Sequence, residues 1–104
     1  MNKLKIIQLL PELNIGGVER GTTDFSKVLV KNGHESIVIS NGGIYEKDII
    51  EHGGKHINLP IHKKSIFSLL LSKKLRVIYE KEKPDIVHVR SRMPAWINYY
   101  AFKK

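Results

Sequence analysis

The sequence predicts an α/β domain: a partial, doubly wound parallel sheet of four strands in the order 3-2-1-4, with helices on both faces. Three observations lead there. Short apolar runs alternate with longer segments of helical period, β-α-β-α-β-α-β-α, and such alternation calls for parallel strands joined by right-handed crossovers. The first run is apolar on both faces, as a strand covered from both sides must be. Glycine or proline marks most of the segment ends.

Lys5–Leu10 is the first strand. Gly17–Asn32 reads as a helix whose apolar stripe is Val18, Phe25, Leu29 and, half a face over, Val28. Gly33 stands where a left-handed C-cap residue belongs. Glu35–Ser40 is the second strand, and Asn41-Gly42-Gly43 turns the chain. Tyr45–His52 is a short helix stopped by Gly53-Gly54, and Lys55–Leu59 is a third strand limited by Pro60. Ser65 caps a long helix running to about Glu82. Its first half is apolar nearly all round (Ile66, Phe67, Leu69, Leu70, Leu71), and its second half narrows to Leu75, Ile78 and Tyr79. Pro84 stops it, Asp85–Val89 is the fourth strand, and Pro94 opens a last helix, Ala95–Lys104.

At 104 residues the chain holds one domain at most, and 41% hydrophobic with 27% charged residues fits a soluble globular protein. The absence of cysteine excludes a disulfide framework and thiolate chemistry. A formal charge of +8 favours anionic partners and equally serves solubility. The lysines are dispersed, so no nucleic-acid tail is expected. The apolar stretch near the N-terminus is too short for a signal peptide, and no segment reaches the length of a membrane span. A cytoplasmic protein is expected.

In a doubly wound sheet, ligands bind outside the carboxyl ends of the strands where the strand order reverses. Here that places a crevice between the ends of Lys5–Leu10 and Asp85–Val89. Two loops face it. The first carries Gly16 and Gly17 at the mouth of a helix that continues through Glu19 and Arg20. Paired glycines at a helix N-terminus suit an anion or a sugar hydroxyl, or else a tight turn packing helix on sheet; both readings stand. Glu19 in the first turn complements the helix dipole before it serves a ligand. The second loop offers Arg90, Ser91 and Arg92, with His88 at the strand end. Two arginines flanking a helix N-terminus suit a phosphate clamp, or else are two solvated surface charges; both readings stand. There is no Gly-Lys-Ser/Thr, so a P-loop is excluded, and Val18 interrupts the dinucleotide glycine pattern. His52 and His56 are separated by Gly53-Gly54 and share no helical face, so no metal site is expected.

Four stretches, in this order and spacing, resemble the N-terminal domain of GT-B glycosyltransferases of family 4. They are Lys5-Ile6-Ile7-Gln8-Leu9-Leu10, Gly16-Gly17-Val18-Glu19-Arg20, Leu29-Val30-Lys31-Asn32-Gly33-His34-Glu35 and Pro84-Asp85-Ile86-Val87-His88-Val89-Arg90-Ser91-Arg92. The stretch from His88 to Trp96 is similar to a branch tied to cell-envelope polysaccharide or lipopolysaccharide sugars. The resemblance implies transfer of a sugar from a nucleotide-sugar to a glycan or lipid-linked acceptor, with retention and without an essential metal or cofactor. It implies that this domain holds the acceptor while Gly16 and Gly17 line the donor diphosphate. Many members carry His-x-His on the fourth strand; here it is His88-Val89-Arg90, so a role for the second histidine does not transfer. An arginine there would stabilise the departing diphosphate instead.

The resemblance further implies that residues 1–104 are an incomplete acceptor-side domain without the donor-binding domain, inactive as a transferase alone. Two other readings are weighed. One is a non-catalytic module that pairs its edge strand with a separately encoded partner chain. The other is a peripheral contact with anionic membrane at its inner face, through Phe67, Leu69, Leu70 and Leu71 beside Lys63, Lys64, Lys73, Lys74 and Arg76. Nucleic acid is not expected as a partner, because Trp96, Tyr99, Tyr100 and Phe102 fall at core-like spacing on a helix.

Overall fold

The first strand of the chain is an interior strand of the sheet, buried along nearly its whole length. In the computed structural model, which describes residues 3–10, 17–59 and 68–90, that strand is β1 (Lys5–Leu9). It is followed by α1 (Gly17–Lys31), β2 (Glu35–Ser40), α2 (Glu46–Glu51), β3 (Lys55–Asn58), α3 (Ser68–Glu82) and β4 (Ile86–Val89). The sheet order is β3-β2-β1-β4, and every pair is parallel. This is the expected doubly wound, Rossmann-like arrangement. Gln8 lies opposite Val38 on one side and His88 on the other. The last expected helix and the first turns of the long helix, including Ser65, lie outside the described residues.

The two faces of the sheet differ in chemistry. On one, α3 sets Leu75 and Tyr79 against Ile7, Leu9, Ile37, Ile39 and Leu59. Fully burying an apolar side chain of this size stabilises by roughly 1.5–3 kcal/mol, so this face is the main hydrophobic core. Burial also pushes the Tyr79 phenol well above its usual range. On the other face, α2 places Ile49 against Leu10 and Val38, and α1 covers the rest.

Helix α1 departs from the expected apolar stripe. Val18, Phe25 and Val28 are exposed, and the buried residues are Thr22, Thr23, Ser26 and Leu29. The reason is satisfied polarity at close range. Thr22 Oγ1 donates to the Val18 carbonyl at 2.8 Å and Thr23 Oγ1 to the Glu19 carbonyl at 2.9 Å, so neither hydroxyl needs water. Ser26 and Ser36 share a 2.6 Å hydrogen bond between α1 and β2. Small hydroxyl residues let the helix sit close to the sheet, and hydrophobicity alone does not reveal that.

Gly33 ends α1 as expected, at φ 85°. The Gly33 N–H bonds the Val30 carbonyl and the His34 N–H bonds the Leu29 carbonyl, which satisfies the last helical acceptors. Gly54 is required for a different reason. A Cβ there would lie 2.8 Å from Ile49 Cγ2 and 2.9 Å from Ser26 Oγ.

Charge gathers at the amino ends of the strands. Glu82 takes Lys55 at 2.8 Å and Lys5 at 3.4 Å, while Glu35 takes Lys3 at 3.2 Å and Lys5 at 3.3 Å. The Asp85 carboxylate accepts the Lys5 backbone N–H at 2.8 Å. Hydrogen bonding to Lys55, then Lys5, holds the Glu82 carboxyl below its ordinary value despite partial burial. Lys3 and Lys5 do the same for Glu35. Desolvation works against the Lys5 ammonium, but hydrogen bonds and attraction from Glu35 and Glu82 together outweigh it and raise its pKa.

Two outcomes follow. Carboxyls with depressed folded-state pKa values contribute stability that is complete above their unfolded value, near 4.5, and lost as pH falls through the folded value. Melting temperature should therefore fall below about pH 4.5, and Glu82→Gln should lower it at neutral pH while flattening the acid decline; a parallel acid decline in the variant would show that Glu82 carries no such linkage. Gly54→Ala should destabilise by about 1–3 kcal/mol through overpacking against Ile49 and Ser26, read as a lower midpoint in urea with an unchanged slope.

Candidate functional site

The strand reversal sits between β1 and β4, and the residues at their carboxyl ends form the candidate site. Even-numbered positions of β1 and β4 point toward the α1 face, so Gln8, His88 and Arg90 lie together. Arg90 follows the last residue of β4, and its backbone N–H continues the ladder to the Leu9 carbonyl at 2.9 Å. Its side chain turns back over β1. Nε donates to Gln8 Oε1 at 2.7 Å, and the guanidinium carbon stands 5.9 Å from the centre of the Phe25 ring on α1. Gln8 is fully buried, and its Nε2 donates to the Thr22 carbonyl at 3.2 Å. A half-buried cation is thus held on one side by a neutral amide and on the other by an aromatic face.

The electrostatics suit an anion. Burial lowers the Arg90 pKa from its ordinary value, yet a guanidinium stays charged at any physiological pH. His88 is exposed, and desolvation followed by repulsion from Arg90 lowers its pKa, which favours the neutral ring. Neutral imidazole beside a fixed cation can accept a proton or a hydrogen bond without adding charge.

The remaining candidates divide. Gly17 is the first residue of α1, and a Cβ added there meets nothing within 4 Å. Helix-to-sheet packing therefore does not demand a glycine at that position. Glu19 lies in the first turn, with its carbonyl engaged by Thr23. Arg20 is exposed, 4.0 Å from Asp24 along the helix surface. Gly16, Ser91 and Arg92 lie outside the described residues.

Sequence reasoning passed over Gln8, Thr22 and Phe25. The one available signal was a lone amide inside the apolar run Ile6-Ile7-Gln8-Leu9-Leu10. It also passed over a second polar cluster at the outer edge of the same end of the sheet. Ser40 Oγ lies 2.8 Å from His56 Nε2, and His56 Nδ1 lies 3.4 Å from Glu46 Oε1. The geometry resembles a nucleophile relay, but a nucleophile must reach substrate. Ser40 is fully buried, its Oγ accepts the Gly42 N–H at 3.0 Å, and the His56 side chain is 1% exposed. Desolvation lowers the His56 pKa against the pull of Glu46. The cluster joins β2, β3 and the start of α2, and it is closed to ligands.

Among the described residues no group of three or more side chains is placed to hold a metal ion. No described helix is long and apolar enough to cross a membrane. A groove of about 600 Å³, lined in part by Lys3, Lys5, His34, Glu35, Lys55 and Glu82, opens at the opposite end of the sheet, where the lysines already face carboxylates.

Known proteins share this framework. The solved structure of a glycosyltransferase from Rickettsia africae ESF-5 superposes with a TM-score of 0.82 at 43% sequence identity. The match covers 97% of this chain and 27% of that one, so the chain spans about a quarter of that relative's length. No curated protein sequence matches at a significant level. The model of Glycosyltransferase Family 4 matches residues 15–104, nearly the whole chain. The chain belongs to glycosyltransferase family 4.

Proposed function

We propose that residues 1–104 form the acceptor-side wall of a sugar-transferring enzyme, with the crevice between β1 and β4 facing the donor diphosphate. In the longer protein this wall meets a donor-binding domain. A sugar then passes from a nucleotide-sugar to a cell-envelope acceptor of the lipopolysaccharide or polysaccharide type, with retention and without an essential metal. Gly16, Gly17, Ser91 and Arg92 border the diphosphate. Arg90 stabilises the negative charge that grows on the leaving group as the bond to the sugar breaks. The work takes place in the cytoplasm, and the net charge of +8 favours a peripheral position at the inner face of an anionic membrane.

The supporting observation is the placement of Arg90. It stands at the strand reversal, half-buried, held by Gln8 and Phe25 and facing no carboxylate among the described residues. A cation kept without a counter-charge in a crevice is suited to a ligand anion.

A second reading rests on β4. It is an edge strand of the described sheet, with Ile86 48% exposed. Such an edge accepts further strands, either from the continuing chain or from a separate partner that completes the sheet.

Two measurements test the main reading. Arg90→Ala should weaken binding of inorganic pyrophosphate about tenfold, the loss of one charge-assisted contact; an unchanged dissociation constant in titration calorimetry would remove Arg90 from the site. The purified 104-residue chain should show no transfer from nucleotide-sugars to lipid-linked acceptors. Detectable turnover by that chain would overturn the assignment of catalysis to a donor-binding domain outside residues 1–104.

A further inference from the structure

The amide at position 8 is an anomaly in a strand whose other residues after Lys5 are apolar and which is covered on both faces. Gln8, Ile7 and Leu9 are all fully buried. Burying an amide without partners costs about 1–3 kcal/mol, and a leucine or methionine would fill the same volume without that risk. Both ends of this amide are engaged. Oε1 accepts from Arg90 Nε at 2.7 Å, and Nε2 donates to the Thr22 carbonyl at 3.2 Å. The orientation is fixed by chemistry, since a guanidinium can only donate and a carbonyl can only accept.

We infer that Gln8 is a positioning residue: from beneath the crevice it ties the Arg90 guanidinium on β4 to the Thr22 carbonyl on α1, so that Arg90 meets an anion already oriented. The inference rests on the reading of Arg90 as a diphosphate-facing cation. Three features of the structure carry it. The Nε bond fixes one edge of a planar group, and Phe25 stands against it at 5.9 Å. Among the described residues no further hydrogen bond engages the terminal Nη groups, so no described partner claims the outer edge. The same amide reaches α1, the helix that begins at Gly17, and thus links both walls of the crevice through one buried side chain. An amide acceptor also leaves the charge of Arg90 intact, which a carboxylate in its place would cancel. Fixing a long side chain before the ligand arrives removes part of the ordering cost of binding.

The test is a double-mutant cycle read as the dissociation constant for inorganic pyrophosphate, using the 104-residue chain. Gln8→Leu and Gln8→Met remove both polar contacts and keep the volume. Each should weaken pyrophosphate binding roughly three- to tenfold. In an Arg90→Ala background the same substitutions should change nothing, because Gln8 acts through Arg90. A purely structural role would give equal losses in both backgrounds, and that result overturns the inference. Unchanged binding in the Gln8 variants, with a clear loss in Arg90→Ala, also overturns it while leaving the reading of Arg90 standing. No pyrophosphate binding by the wild-type chain, or no loss in Arg90→Ala, overturns both together. A measurement on the wild-type chain guards against variants that fail to fold. The Arg90 Nε–H resonance should exchange slowly with water in the absence of ligand. Exchange as fast as that of the exposed Arg20 would show that Arg90 is not held in advance.

Discussion

The structure depends on the complete enclosure of one strand. β1 pairs with β2 on one edge and β4 on the other, and it is covered by α1 on one face and by α3 on the other. Ladders run along both of its edges, and every residue from Ile6 to Leu9 is buried, with Lys5 at its start partly exposed. Every residue of β1 must therefore be apolar or bring its own partners. Ile7 and Leu9 meet the apolar demand on the α3 face. Gln8 meets the other demand on the α1 face, and its two partners lie on the two elements that border the crevice.

That enclosure explains why the two faces of the sheet are built differently. The α3 face is sealed by large apolar side chains, with Leu75 fully buried and Tyr79 nearly so. The α1 face is sealed by hydroxyl groups: Thr22, Thr23, Ser26 and Ser36 are buried and hydrogen-bonded. A helix packed on small hydroxyl residues approaches more closely than one packed on leucines. It comes near enough for the Thr22 carbonyl to take a hydrogen bond from a strand side chain. Close packing also leaves no space for a side chain on Gly54, at the turn between α2 and β3.

The strand order and most of the elements were legible in the sequence because they follow from the alternation of apolar runs and from the connection rules of parallel sheets. Gly33 was legible because only a left-handed residue closes α1 in that way. The inward face of α1 was not legible. Val18, Phe25 and Val28 are the apolar residues at helical spacing, but the helix buries Thr22, Thr23 and Ser26, and the hydropathy of those residues does not mark them as core. The candidate site divides along the same line. Arg90 could be placed in the crevice from topology alone, since it follows the last strand at the reversal point. Gln8 could not, because its meaning lies in what sits 82 residues away in sequence and one strand away in space. The Ser40–His56–Glu46 cluster was hidden for the same reason, as its members belong to three different segments.

The two ends of the sheet carry cations of similar charge and treat them in opposite ways. At the amino ends, Lys3, Lys5 and Lys55 face Glu35 and Glu82, and the carboxylates cancel most of the positive field. Exposed pairs of that kind add little each, but together they leave an end with no reason to attract an anion. At the carboxyl ends, the partners of Arg90 among the described residues are a neutral amide and an aromatic face, neither of which cancels its charge. A protein that needed only a stable strand end would gain more from a carboxylate at that position or from no charge at all. Geometric restraint without neutralisation is what a site for an anionic group requires. The helix that begins at Gly17 adds to it, since the N-terminal end of its dipole carries the same sign. The two ends of the sheet thus differ in kind: at the amino ends carboxylates answer the lysines, and at the carboxyl ends the described partners of Arg90 orient it without neutralising it.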